Sequence, residues 1–177
     1  YYIGDHFARY HVTTVHGTIY DTQLDPAEKL LITAGQEKKI NIYDISSSKL
    51  VKSIKVDAES DEIVRIELDP SGQFLAASSQ DRHIRVYHLD SGEMISNVSG
   101  HSELVTGLKF ASDCSHLISV SGTTKIILKF SAGSDQFLLG DGCVFLWRWP
   151  DDFSASLRAS AAGIKPAMRT HADPTTL

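Results

Sequence analysis

The sequence predicts an all-β chain built as a partial β-propeller of about three four-stranded blades. Three observations predict it: a pattern repeating with a period in the low forties, short strands of alternating polarity within each copy, and turn residues between them. Helical periodicity is nearly absent before residue 150.

The repeat is set by Leu24-Asp25-Pro26, Leu68-Asp69-Pro70 and Phe110-Ala111-Ser112, which lie 44 and then 42 residues apart. Downstream, Ile40, Ile84 and Val144 fall into the same register, as do Ile42, Val86 and Leu146, and then Tyr43, Tyr87 and Trp147. The second aromatic interval is 60 residues rather than 44, so the third copy carries an insertion of 18 residues, placed at 123–140. A sandwich also has evenly spaced short strands, but a period in the forties is that of propeller blades.

Each copy reads as four strands, a to d. In the second copy, Ile66 and Leu68 alternate with Arg65 and Glu67, a period of two that turns one face to a core and the other to water or a neighbouring blade. Leu108 and Phe110 around Lys109 repeat this in the third. Asp69-Pro70-Ser71-Gly72 has the residues of a type I turn: Asp at the first position, Pro fixing φ at the second, Gly at the fourth. Strand b is expected over 74–78, strand c over 83–89 and strand d over 93–98, with Asp90-Ser91-Gly92 turning c into d. The first copy is expected to use 30–34, 39–45 and 50–56 in the same way.

Composition limits the function classes. With 42% apolar and 22% charged residues the chain is globular, and its net charge of -5 repels a phosphate backbone, so nucleic acid is not an expected partner. No run approaches the roughly 20 apolar residues of a spanning helix and no leader pattern opens the chain, so a soluble, cytoplasmic protein is expected. Cys114 and Cys143 have no ligand-spaced Cys or His and read as reduced core residues. The eight histidines form no metal set and are expected to be mostly solvated. Asn97-Val98-Ser99 reads as a surface turn rather than a glycosylation acceptor. Because the chain opens on Tyr1, it is expected to begin inside a larger protein.

Gly100-His101 before strand a, Ser119-Val120-Ser121-Gly122 ending strand b, Asp141 before strand c and Trp147 closing it resemble the WD40 repeat, with Trp147-Arg148 for the usual Trp-Asp. Longer strings narrow the likeness: Leu68-Asp69-Pro70-Ser71-Gly72, Asp90-Ser91-Gly92-Glu93, Gly100-His101-Ser102-Glu103 and Gly140-Asp141-Gly142-Cys143-Val144-Phe145. They resemble the mitogen-activated protein kinase-binding WD-repeat scaffolds, a family with a microcephaly-associated spindle-pole member. The resemblance covers residues 15–150 if the insertion is skipped, and divides them into WD40 repeats at 15–57, 58–100 and 101–150. Residues 1–14 are then the tail of a preceding blade or a linker, and 151–177 an irregular or disordered tail.

The resemblance implies a structural tetrad of His101, Ser119, Asp141 and Trp147, in which an aspartate orients the imidazole and the chain of bonds ends on an indole, a donor only. The second copy keeps Asp81 and substitutes Glu59, Ala77 and Tyr87, and the first has Thr33, Glu37 and Tyr43, so those blades must rest more on packing. His101, Ser119 and Asp141 are also the residue types of a hydrolase triad, but no Gly-x-Ser-x-Gly elbow presents the serine. Ser121-Gly122-Thr123-Thr124-Lys125 lacks the spacing of a phosphate loop. No enzyme, cofactor, metal or small-molecule substrate is therefore expected.

What is expected is an interaction module with signalling or cytoskeletal proteins as partners. The resemblance implies a scaffold of the JNK branch of MAP-kinase signalling, at centrosome or spindle pole. The alternative is a substrate- or partner-recognition propeller of another WD40 complex, such as a ubiquitin-ligase receptor or a ciliary or cytoskeletal component. Partner contact is expected at turns sharing one blade end, around Lys38, Gln80, Arg82 and Glu103, because turn tips vary without disturbing buried strands.

Overall fold

The computed structural model describes residues 17–56, 62–122 and 142–148. The first sheet is β1 (Ile19–Leu24), β2 (Leu30–Gly35), β3 (Lys39–Asp44) and β4 (Lys49–Lys55), antiparallel in chain order. The second repeats it with β5 (Ile63–Leu68), β6 (Phe74–Ser79), β7 (Ile84–His88) and β8 (Met94–Val98). The third comprises β9 (Val105–Phe110), β10 (His116–Ser121) and β11 (Val144–Arg148). A fourth strand of that sheet, the insertion at 123–140 and the tail at 151–177 all lie outside the described residues, as does Asp141. Among the described residues there is no helix.

The sheets stack like blades. Strand β5 packs beside β1 and β9 beside β5, so the first strands of the three sheets stand next to one another at the inner edge. The middle sheet needs two buried faces for this, and β6 supplies them, since every residue of Phe74–Ser79 is buried rather than every second one. Leu75, Ala77 and Tyr87 of the second sheet join Ile32, Ala34, Ile40 and Ile42 of the first in one core. Phe74, Ala76, Ile84 and Val86, from the opposite face of the same strands, join Val105, Phe110, Cys114 and Leu117 of the third in another. Each fully buried aliphatic side chain contributes about 1.5–3 kcal/mol. The two cores thus hold the first two blades without the side-chain network seen in the third.

Hairpins within each sheet use one device. The residue at the end of the a–b turn is left-handed in all three copies: Glu28 at φ 55°, Gly72 at 74° and Cys114 at 55°. At the b–c turns of the first two sheets it is Lys38 at 56° and Arg82 at 69°, and at the equivalent repeat position before β11 Gly142 has φ 45°. A type I turn followed by one left-handed residue is the three-residue hairpin geometry, which re-enters the second strand with the correct twist. Asp69 completes its turn by accepting from the Ser71 amide at 3.0 Å and the Phe74 amide at 2.7 Å.

The expected strand limits shift by one residue at several ends. The third strand of the second sheet starts at Ile84 because the His83 amide is turned to the Asp81 carboxylate at 3.1 Å. One surface expectation is corrected. Asn97 sits in strand β8, not a turn, and bonds the His83 ring at 2.9 Å. Of the histidines, His83, His88 and His116 are half-buried and His101 is buried, while His6, His11, His16 and His171 lie outside the described residues. Cys114 is buried and Cys143 half-buried, both as free thiols.

Candidate functional site

Ser119 stands at the centre of β10, paired with Leu108 on one side and Phe145 on the other, and it is 0% exposed. Its Oγ lies 2.8 Å from His101 Nε2 and receives the Trp147 indole N–H at 2.8 Å. Because the indole can only donate, one Oγ lone pair is committed to it, and the hydroxyl's remaining proton and lone pair are the groups that face the imidazole. The His101 ring meets Phe145 edge to face at 4.4 Å, and Phe145 leans on Trp147 at 5.4 Å. Three of the four expected tetrad residues are thereby brought together.

This geometry clamps the blade. It ties the loop before β9 to the middle strand and to the last described strand. A hydrolytic nucleophile needs a hydroxyl that substrate can reach, whereas Ser119 is sealed in a regular strand with its hydroxyl engaged on both sides.

The second sheet closes the same end differently. Arg85 takes the strand position that Phe145 holds in the third, opposite Ala77 rather than Ser119. Its guanidinium grips Asp81 at 2.6 and 3.2 Å and reaches Ser79 Oγ at 3.3 Å. Burial alone would raise the Asp81 pKa, but hydrogen bonds from Arg85 and the His83 amide, with the nearby positive charge, hold it below the ordinary carboxylate value. Nothing in the repeat pattern announced Arg85. The available signal was an Asp and an Arg four residues apart across a b–c turn.

The same blade end carries the expected contact residues. Lys38, Gln80 and Arg82 are exposed on adjacent b–c turns, and Glu103 is half-buried in the loop before β9. Arg82 donates to the Ser102 carbonyl at 3.0 Å, which binds the second blade's turn to the third blade's entry loop. Gln80 donates to Glu62 at 2.8 Å, and Glu62 also accepts from the Tyr20 hydroxyl at 2.7 Å, which raises the Tyr20 pKa. Gln80 and Arg82 are thus held in a rim that spans blades, and Glu62 and Tyr20 are rim members the sequence reading did not name.

At the opposite end the inner strands are tied by Glu67. Its carboxylate accepts from Gln23 at 3.3 Å and from Lys109 at 2.5 Å, one residue from each flanking blade. These three occupy one repeat position, and they border a groove of about 370 Å³ with Pro26, Pro70 and Phe110. Among the described residues no group of three or more His, Cys, Asp or Glu is placed to hold a metal. No described helix is long and apolar enough to cross a membrane.

Radially stacked four-stranded repeats, with a histidine, a serine and a tryptophan bonded across one blade, define a partial WD40 β-propeller, and the chain belongs to the WD40-repeat proteins. It is 42% identical over 94% of its length to Mitogen-activated protein kinase-binding protein 1 of Mus musculus and of Homo sapiens. It is 34% identical over 88% of its length to WD repeat-containing protein 62 of Mus musculus, and 36% identical over 81% to that of Sus scrofa. Residues 55–113 match the family described as the Anaphase-promoting complex subunit 4 WD40 domain. The chain spans 8 to 10% of the length of these relatives.

Proposed function

We propose that this chain is the part of a MAP-kinase (JNK) pathway scaffold that offers one blade end, around Lys38, Gln80, Arg82 and Glu103, to signalling or cytoskeletal proteins. The observation that carries the reading is the Arg82–Ser102 bond. It makes a cross-blade rim rigid before a partner arrives, so that binding loses little conformational entropy. The printed name of the 42%-identical relatives, a mitogen-activated protein kinase-binding protein, supports the pathway. A cytoplasmic location, with centrosome or spindle pole as its finer form, belongs to the same proposal and is tested by imaging a tagged chain in dividing cells.

The direct test is charge reversal at Arg82 and Glu103 together, with capture of JNK-branch proteins from cell lysate as the readout. Loss of capture with an unchanged circular dichroism spectrum is the expected result. Unaltered capture rejects this surface. The match of residues 55–113 to a WD40 domain of the anaphase-promoting complex favours a second reading, a substrate- or partner-recognition propeller of another complex, such as a ubiquitin ligase. Capture of such a complex in place of JNK-branch proteins would select it.

A further inference from the structure

The first strand of each sheet is an edge strand, and a strand edge presents N–H and C=O groups that its own sheet does not pair. In the second sheet the Asp69 amide donates to the Phe74 carbonyl across the β5–β6 hairpin. From there the register steps back through Leu68 opposite Leu75 and Glu67 opposite Ala76 to Ile66 opposite Ala77. Bonded and non-bonded pairs alternate in an antiparallel ladder, so both backbone groups of Ile66 face out of the sheet. Neither is left open. The Ile66 amide donates to Asp21 Oδ2 at 2.9 Å, and the Ile66 carbonyl accepts from Gln23 Nε2 at 3.2 Å.

Asp21 and Gln23 are two residues apart on β1, so they project from one face of the first sheet. One supplies an acceptor and the other a donor, as the backbone of a neighbouring strand would. The same carboxylate lies 3.9 Å from Arg65, and the same amide also donates to Glu67 at 3.3 Å. A slip of β1 by one residue would turn both side chains away from Ile66. Just before Asp21 the β1–β2 register shifts, and the residue at that bulge is Tyr20. A bulge re-aims its side chain, and here the Tyr20 hydroxyl donates to Glu62, which also accepts from Gln80 on the b–c turn.

We propose that Asp21 and Gln23 are positioning residues. They latch the first blade onto the inner edge of the second in one register, and that register seats Tyr20 on Glu62 in the rim. That the rim is a partner surface rests on the function proposed above. The latch is read from the Ile66 amide and the Tyr20 hydroxyl, so failure of partner capture and failure of the latch are separate results.

Native-state hydrogen exchange followed by NMR on the whole chain tests this. Asp21→Ala should speed exchange of the Ile66 amide roughly tenfold or more through loss of its acceptor, while amides paired between β6 and β7 keep their rates. Asp21→Asn retains a side-chain oxygen and should restore most of the protection. The Tyr20 phenol, raised above its ordinary value by the bond to Glu62, should titrate closer to that value in Asp21→Ala than in the wild type. Unchanged Ile66 exchange in Asp21→Ala overturns the latch. So does Asp21→Asn exchanging as fast as Asp21→Ala, because the charge rather than the acceptor would then be the active part. A freed Ile66 amide with an unmoved Tyr20 overturns the link to the rim. Where Asp21→Ala does not fold, the wild type decides: a scalar coupling across the hydrogen bond, from the Ile66 nitrogen to the Asp21 carboxylate carbon, is expected, and its absence overturns the latch.

Discussion

Arg85 and Asp81 form a two-point ion pair, 2.6 and 3.2 Å, in the second blade, at the end where the third blade uses His101, Ser119 and Trp147. One chain thus fastens the same blade end with two chemistries. The pair follows from its surroundings: Arg85 is 5% exposed, and a buried guanidinium without a carboxylate would carry an uncompensated charge.

Asp81→Asn should destabilise the chain by about 1–3 kcal/mol at neutral pH, because it leaves Arg85 buried with a weaker acceptor. The pH dependence has a definite sign. The folded pKa of Asp81 lies below its ordinary value, so the stabilisation is complete above about pH 4 and is lost as pH falls through the folded value. Melting curves of the wild type and Asp81→Asn should converge on acidification. A constant gap from pH 7 to pH 3 would show that the carboxylate charge is not what holds Arg85.

In the third blade, Ser119→Ala and Trp147→Phe remove the two ends of one hydrogen bond. Each should cost about 1–3 kcal/mol, and the double variant less than their sum, since once the hydroxyl is gone the indole has no partner left to lose. Denaturant titration of the four-member cycle measures this. Strict additivity would mean that the 2.8 Å contact is not energetically coupled.

Much of the fold was legible because the interval between Leu24, Leu68 and Phe110 is a physical period, one four-stranded sheet per copy. The left-handed positions at the turns were legible only where glycine marked them, as at Gly72, Gly92 and Gly142. Glu28, Lys38, Ser48, Arg82 and Cys114 adopt the same backbone region with a side chain, and local sequence carries no sign of it. Glu67 illustrates a second gap. Alternation placed it correctly off its own sheet's core face, but its burial at 7% depends on Gln23 and Lys109 arriving from two other blades. Of the candidate site, His101, Ser119 and Trp147 were singled out through resemblance and meet in one blade, with Asp141 outside the described residues, whereas the rim bonds of Arg82 and Gln80 run to loop groups that no motif encodes.

The turn geometry gives a paired prediction. Gly72→Ala should cost about 1–2 kcal/mol, since φ is 74° and the new Cβ would lie 2.9 Å from Pro26 Cδ. At the equivalent Glu28, with φ 55°, glycine should stabilise by about 0.5–1 kcal/mol, the relieved strain exceeding the added unfolded-state entropy. Thermal unfolding of both variants decides it. A loss of stability in Glu28→Gly would show that side-chain interactions of Glu28 outweigh the backbone term.

Strands β10 and β11 pair up to Val120 and Val144, and the Ser121 amide reaches the Cys143 carbonyl at 3.2 Å, so the described residues on either side of 123–140 lie next to each other. Deleting them should stabilise the chain by about 1.5 kcal/mol through a shorter closing loop. Melting temperature and soluble yield should both rise. A fall in both would mean that the segment is integral to the blade.

The central claim, that the blade end carrying Gln80 and Arg82 is the partner-binding surface, is tested most directly by site-specific photo-crosslinking. A photoreactive residue at exposed Gln80 is compared with one at exposed Ala27, on the a–b turns at the opposite end. Crosslinked JNK-branch or cytoskeletal protein from position 80, with little or none from position 27, is the predicted result. Equal crosslinking from both positions, or crosslinking from position 27 alone, would contradict it.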